Sequence, residues 1–275
     1  MTLSTIRNNP AKQKKVKTKK QKAIAATCAV AFWLLVWHVV SLCVGSELVL
    51  VSPVKVVQTL FTVIFDPDFL KTVWYSAARI LGGFFTALTL GTVLGWVASR
   101  FWVVETLLRP ITAVIKATPV ASFIILVLLW FSGKNLSVII SMLMVFPVIY
   151  MNVLEGIRSA DKKLLEMAQV FRLSVGKKLL YIYLPAVAPF FVSACSVSLG
   201  LCWKSGIAAE VIGTPDGSIG AVFYQAKIFL QTSELLAWTV VVVAVSVAFE
   251  KLFMLLLRLV LKKLKMEDVL NGKRA

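Results

Sequence analysis

Histidine occurs once in these 275 residues, and acidic residues number 13 against 30 lysines and arginines. Such scarcity excludes most enzyme classes, because neither a catalytic triad nor a metal-ligating cluster has the side chains it needs. The one histidine, His38, lies in an apolar run, where an imidazole more often hydrogen-bonds a neighbouring helix than relays protons. Cysteine is sparse as well. Cys28, Cys43, Cys195 and Cys202 sit in apolar stretches with no Cys-x-x-Cys spacing, and read as small core hydrophobes rather than a disulfide framework or a zinc site. A phosphate-cradling Gly-x-x-x-x-Gly-Lys-Ser/Thr loop is missing too. Gly133-Lys134 is followed by Asn135 and preceded at the required distance by Leu128, while Gly176-Lys177 is followed by Lys178 and preceded by Phe171. The expectation is a chain with no catalytic residues, no metal, no cofactor and no ATPase site of its own. Any work it does draws energy from a partner or an ion gradient.

Charge is the next shortage. Charged residues make up 16% of the chain and hydrophobic ones 59%, against about 25% and about 45–50% in soluble domains. What is abundant is long apolar runs, and a helix crossing a bilayer needs roughly 20 such residues. The runs place spans near 23–44, 76–99, 119–131, 136–153, 189–202 and 235–257. The third and fifth are short as counted, so the third is expected to begin near Pro110 and the fifth to extend past Lys204. Unpaired backbone cannot stay in lipid and barrel-type alternation is absent, so the fold class is all-α, a polytopic membrane protein of about six helices. Between the first two spans, 54–65 has apolar residues at helical spacing and reads as a short amphipathic helix on the outer surface. A secretory signal is a poor reading of the start, since the first apolar run exceeds an h-region and more spans follow.

The net charge of +17 would suit nucleic acid, but its placement does not. Lys12, Lys14, Lys15, Lys17, Lys19, Lys20 and Lys22 precede the first span, and Arg258, Lys262, Lys263 and Lys265 follow the last. Flanking clusters of this kind mark the cytoplasmic side of a cell membrane. Six spans return both basic termini to that side, and the outer segments carry Glu47, Asp66, Asp68, Glu210, Asp216 and Glu234 instead. The organisation expected is a basic cytoplasmic tail at 1–22, a membrane domain at 23–261 and a second basic tail at 262–275.

Between the fourth and fifth spans, a segment at about 156–185 carries two amphipathic stretches. Leu164, Leu165, Ala168 and Phe171 share one face, and Leu179, Leu180, Tyr183 and Leu184 share another after Ser174, a candidate N-cap. Periodicity alone reads this as an ordinary surface hairpin. The detailed string is more informative: Glu166-Met167-Ala168, three residues, Arg172, nine residues, then Ile182-x-Leu184-Pro185. It resembles the cytoplasmic EAA loop of binding-protein-dependent ABC importer permeases of the type I kind. Met167 replaces the second alanine and Arg172 replaces the glycine of the turn. Arg79-Ile-Leu-Gly82-Gly83-Phe84, Gly91-x-x-x-Gly95, Ala117-Thr118-Pro119-Val120-Ala121, Trp130-Phe131-x-Gly133 and Glu210 with Gly217-Ser-Ile-Gly220 extend the likeness over nearly the whole chain, and resemble the nitrate, sulfonate and taurine branch, which includes permeases for thiamine-precursor pyrimidines.

The resemblance implies a subunit that translocates a small polar or anionic solute. Its implied partners are an ATP-binding subunit docked on the hairpin, a second permease subunit, an extracytoplasmic substrate-binding protein and membrane lipid, with no nucleic acid. Glu166, Met167, Ala168, Arg172, Ile182, Leu184 and Pro185 are the implied coupling residues. Arg79, Thr118, Pro119 and Glu210 are candidates for the substrate path. Arg79 and Glu210 also admit structural roles, which are favoured: snorkelling to head groups and holding a loop. Gly91 and Gly95 fit close packing within the bundle better than a subunit interface, and Glu250-Lys251 fits an interhelical or interfacial pair. The main rival, a secondary transporter driven by an ion gradient, would carry repeated halves and buried acids; no repeat is apparent, and Glu250 alone lies well inside an apolar run.

Overall fold

The computed structural model describes residues 19–264, all helix, turn and loop among those residues. The lysine cluster before Lys19 and the last eleven residues lie outside the described part. Two units are described separately, meeting between Lys55 and Val56. The first holds α1, Lys19–Val44. It ends at Gly45, whose φ of +64° suits a residue without Cβ, and Ser41 Oγ then ties the following loop by donating to the Leu50 carbonyl at 3.0 Å.

The helix α2, Pro53–Ile64, starts at the boundary, its proline occupying a first-turn position that needs no donor. It meets the amphipathic expectation: Leu60 and Val63 pack with Ile219, Trp238 and Val241, whereas Val57, Phe61 and Ile64 stay exposed. The remaining elements are α3 (Phe69–Arg100), α4 (Trp102–Ala117), α5 (Val120–Leu128), α6 (Gly133–Arg158), α7 (Lys162–Val170), α8 (Val175–Lys178), α9 (Leu184–Gly213), α10 (Ile219–Ile228) and α11 (Thr232–Lys263).

Five helices, α1, α3, α6, α11 and the α8–α9 run, are long and apolar enough to cross a membrane, and α4 with α5 makes up to a sixth span. That pair covers the third span expected to begin near Pro110, but not as one continuous helix. It bends by 106° between Ala117 and Val120. Pro119 is the cause: its ring pushes Thr118 out of the helical region, to φ −81° and ψ 133°. Thr118 Oγ1 turns back to the Val114 carbonyl at 2.8 Å and closes the end of α4.

The core of the second unit forms where α6 packs along both α3 and α9. Ile80, Phe84 and Ala87 from α3, Val145, Ile149 and Val153 from α6, and Cys195, Leu199, Cys202 and Trp203 from α9 are fully or almost fully buried there. Small residues let these backbones approach. A Cβ on Gly83 would lie 2.4 Å from the Val138 carbonyl oxygen, and one on Gly95 2.9 Å from Val153 Cγ1. Gly91 likewise faces Ile149, so the Gly91/Gly95 pair serves packing inside the bundle. Glu250 makes an interhelical contact: Ser196 Oγ of α9 donates to its Oε1 at 3.0 Å.

Candidate functional site

The hairpin between α6 and α9 is built by local capping. Asp161 caps α7, its carboxylate accepting from the Lys163 amide at 2.8 Å. At the other end Leu173 N donates to Ala168 O at 2.9 Å and Arg172 N to Gln169 O at 3.0 Å, the paired bonds of a Schellman motif. Arg172 sits at the left-handed position of that motif with φ +50°. The turn therefore has the geometry that suits the expected glycine, with an arginine in its place. Leu173 packs back on Ala168, the apolar contact that accompanies this cap. Ser174 begins α8 by its backbone, but its side chain makes no capping hydrogen bond, unlike the sequence reading.

A wider π-helical turn, Leu179–Tyr183, joins α8 to α9. Leu184 N reaches the Leu179 carbonyl, five residues back. The physical reason lies in Pro185, which has no N–H to offer and whose ring would clash with the carbonyl four residues earlier in a regular helix. Ile182 emerges from this turn buried, and meets Ala160 and Ala168 with Leu165 and Tyr183 around them. Tyr183 stands edge-on to Trp96 of α3, with ring centroids 5.6 Å apart, and so fixes the hairpin's return arm to the bundle.

The implied coupling residues thus divide. Ala168 and Ile182 are the interior of the hairpin and face no solvent; Leu184 and Pro185 are half-buried at the start of α9; Glu166, Met167 and Arg172 are exposed. Exposed beside them are Val170, Phe171 and Val175, at 79%, 70% and 83%, an apolar tip flanked by the Glu166 carboxylate and the Arg172 guanidinium. Phe171, placed by periodicity on the same face as Leu165 and Ala168, instead projects outward where α7 ends. Near the base of the hairpin Arg158, at the end of α6, pairs with Glu105 in the first turn of α4 at 2.5 Å, each charge at the helix end that favours it.

The second cluster lies at the other end of α9. Glu210 is fully buried, and its Oε2 accepts from Ser76 Oγ of α3 at 2.6 Å and from Gly220 N of α10 at 3.4 Å. Ser76 Oγ in turn accepts from Ile219 N at 2.9 Å. Gly220 has no room for a side chain, since a Cβ would stand 2.3 Å from the Glu210 Cβ and carbonyl carbon. Arg79 lies over the Tyr75 ring at 4.3 Å from its centroid and within electrostatic reach of Glu210. Ser137 of α6 approaches the same carboxyl. The Ser137 hydroxyl, Arg79 Nη1 and Glu210 Oε1 are buried and complete no hydrogen bond among the described residues. Of the four path candidates, then, Arg79 and Glu210 come together. Thr118 and Pro119 occupy the α4–α5 elbow, and no hydrogen bond or ion pair among the described residues joins them to that cluster. Ser76 is not legible in the sequence, because a serine in an apolar run carries no motif.

Comparison with known proteins agrees with these features. Residues 87–266 match the family described as the binding-protein-dependent transport system inner membrane component. The chain is 29% identical to the putative aliphatic sulfonates transport permease protein SsuC of Bacillus subtilis over 83% of each chain. It is 27% identical to the taurine transport system permease protein TauC of Escherichia coli, over 78% of this chain and 80% of the relative. To the nitrate import permease protein NrtB of Synechocystis it is 25% identical, over 74% of this chain and 76% of the relative. With more than half of its length matched, this multi-pass membrane chain belongs to the family of inner membrane components of binding-protein-dependent transport systems.

Proposed function

We propose that this chain is the permease subunit through which an ATP-driven importer passes a small polar or anionic solute of the sulfonate, taurine or nitrate kind. The observation that carries the reading is the α7–α8 tip. An internally capped wedge exposes Met167, Val170, Phe171 and Val175 together with Glu166 and Arg172, a surface suited to an ATP-binding subunit. Such a partner supplies the energy that the chain, lacking a phosphate loop, does not. Closure of the ATP-binding subunits biases the permease only through contacts that differ between its two states, and the wedge is the element able to make them.

The solutes named for these relatives, sulfonates, taurine and nitrate, support a small cargo that carries an oxyanion group. The flanking lysine clusters support cytoplasmic termini, with the wedge on the same side and α10 on the other. A second permease subunit completes the path, and an external binding protein delivers the solute. The test is reconstitution in vesicles with an ATP-binding subunit and an external binding protein. Uptake of a labelled sulfonate, taurine or nitrate that requires ATP and both partners is the expected result. Uptake driven by an ion gradient with no ATP-binding subunit present overturns it in favour of secondary transport.

A further inference from the structure

The start of α10 is capped by other helices. The first N–H groups of a helix have no partner within it. Here Ile219 N is taken by Ser76 of α3, Gly220 N by Glu210 of α9, and only Ala221 N by a residue next to the helix, Ser218 Oγ at 3.0 Å. We propose that Ser76 and Glu210 form a latch that clasps α10 to α3 and α9, and that α10 is a gate element whose position this latch sets.

Three features give the clasp its two-state character. A helix of ten residues is marginal by itself, so α10 depends on what holds it. The chain enters α10 through two left-handed residues, Thr214 at φ +40° and Gly217 at φ +74°, which form a compact turn rather than a continuation of α9. Glu210 Oε2 is shared between Ser76 and Gly220, so separating α10 strips a buried carboxylate of one donor and leaves Ser76 without its own. Intermediate separations leave these groups unpaired, which favours a clasped and a released arrangement over a continuum. Arg79 lies within electrostatic reach of Glu210 in the clasp. Ser137 and Arg79 bring further polar groups to the same cluster, where water can gain a foothold on release.

The test measures maleimide reactivity of a cysteine at Ala226, buried on α10, in membranes containing the full chain with Cys28, Cys43, Cys195 and Cys202 replaced. Ser76→Ala and Glu210→Ala are each expected to raise the modification rate at least tenfold. Glu210→Gln, which keeps an acceptor oxygen, is expected to stay within threefold of the parent. The double variant Ser76→Ala/Glu210→Ala is expected to match Glu210→Ala alone, since both substitutions open one clasp. A parallel chain that retains buried Cys195 reports on the bundle, and should remain unreactive. Unchanged reactivity in both single variants overturns the latch, as does a rise matched by equal exposure of Cys195, which would mean general loss of structure. These readings hold whether or not the importer assignment does. Where it holds, the reconstituted complex with Ser76→Ala should also hydrolyse ATP at least twofold faster without the external binding protein and take up less solute per ATP; tight coupling in that variant likewise overturns the gating role.

Discussion

The two ends of α9 are held in opposite ways. At its start, the hairpin is clamped by a small apolar interior of Ala160, Ala168 and Ile182, and everything around its tip is exposed. At its end, a fully buried carboxylate gathers three helices through hydrogen bonds. The first end leaves its tip uncovered among the described residues, whereas the buried end is shaped by contacts inside the chain. The hairpin should therefore tolerate changes at its tip without loss of structure, whereas substitutions around the buried seam should act on the fold itself.

The largest effect should come from the buried bundle next to that end, where α3 packs on α6. Gly83 faces Val138 O and Ser141 on α6, whereas a Cβ on adjacent Gly82 meets nothing within 4 Å. Gly83→Ala is expected to cost about 2–3 kcal/mol through forced separation of α3 and α6. Gly82→Ala should be neutral or stabilising by up to about 1 kcal/mol, as for Gly to Ala in a helix interior. Thermal denaturation in detergent and the level of folded protein in membranes check the pair. Equal tolerance of both substitutions would show that the α3–α6 contact is looser than the structure makes it.

Next in size is Glu166→Lys at the tip. Reversing an exposed charge on α7 touches no span, so folded protein should reach at least 80% of the parental level, by an estimate of about ±0.5 kcal/mol for surface changes. Uptake should nevertheless fall at least about tenfold, which corresponds to about 1.4 kcal/mol in the coupling step. Uptake, ATP hydrolysis and co-purification of the ATP-binding subunit are the measurements. Normal uptake at normal abundance would remove the hairpin from the coupling role and leave the buried end of α9 as the better candidate for transmitting motion.

These two regions also differ in how much of them the sequence discloses. The hairpin is legible because its chemistry is local: capping residues, a turn position and a proline at fixed spacing follow one another along the chain. Even so, periodicity assigned Phe171 to the inner face, because it cannot register where α7 stops and the face ceases to exist. The Glu210 cluster is not legible, since Ser76 lies 134 residues away and Ser137 arrives from a third helix. Span positions are evident from apolar runs, yet the elbow at Thr118-Pro119 falls inside one expected span. Composition counts the apolar residues on both sides of a proline and is blind to the angle between them.

Of intermediate size is the ion pair at the foot of the hairpin. Glu105→Gln removes the partner of Arg158, which is half-exposed, so the cost should be at most about 1 kcal/mol. Raising salt to 1 M should reproduce most of that loss in the parent protein and little in the variant. A loss of several kcal/mol would instead make α4 a structural support of the hairpin, and would blur the contrast between the two ends of α9.

The smallest effect, and the one that separates geometry from recognition, concerns Arg172. It holds φ +50° in a Schellman cap, and Leu230 holds φ +54° in the same motif after α10, where Gln231 N reaches Ala226 O at 2.8 Å. An L-residue in this region costs about 1 kcal/mol, which glycine avoids. Glycine's greater freedom in the unfolded chain takes back part of that gain, so Arg172→Gly and Leu230→Gly should each stabilise by a few tenths of a kcal/mol to about 1 kcal/mol. Backbone strain predicts that the two behave alike in thermal denaturation. They should differ in assembly, because Arg172 is a cation at the proposed docking tip and Leu230 is not. Arg172→Gly and Arg172→Ala should both lower co-purification of the ATP-binding subunit about twofold to fivefold, as expected for loss of a charge at the rim of an interface. Leu230→Gly should leave it unchanged. If Arg172→Ala weakens assembly while Arg172→Gly does not, the partner reads the shape of the turn rather than the charge, and arginine at this position is a replacement that the interface merely tolerates.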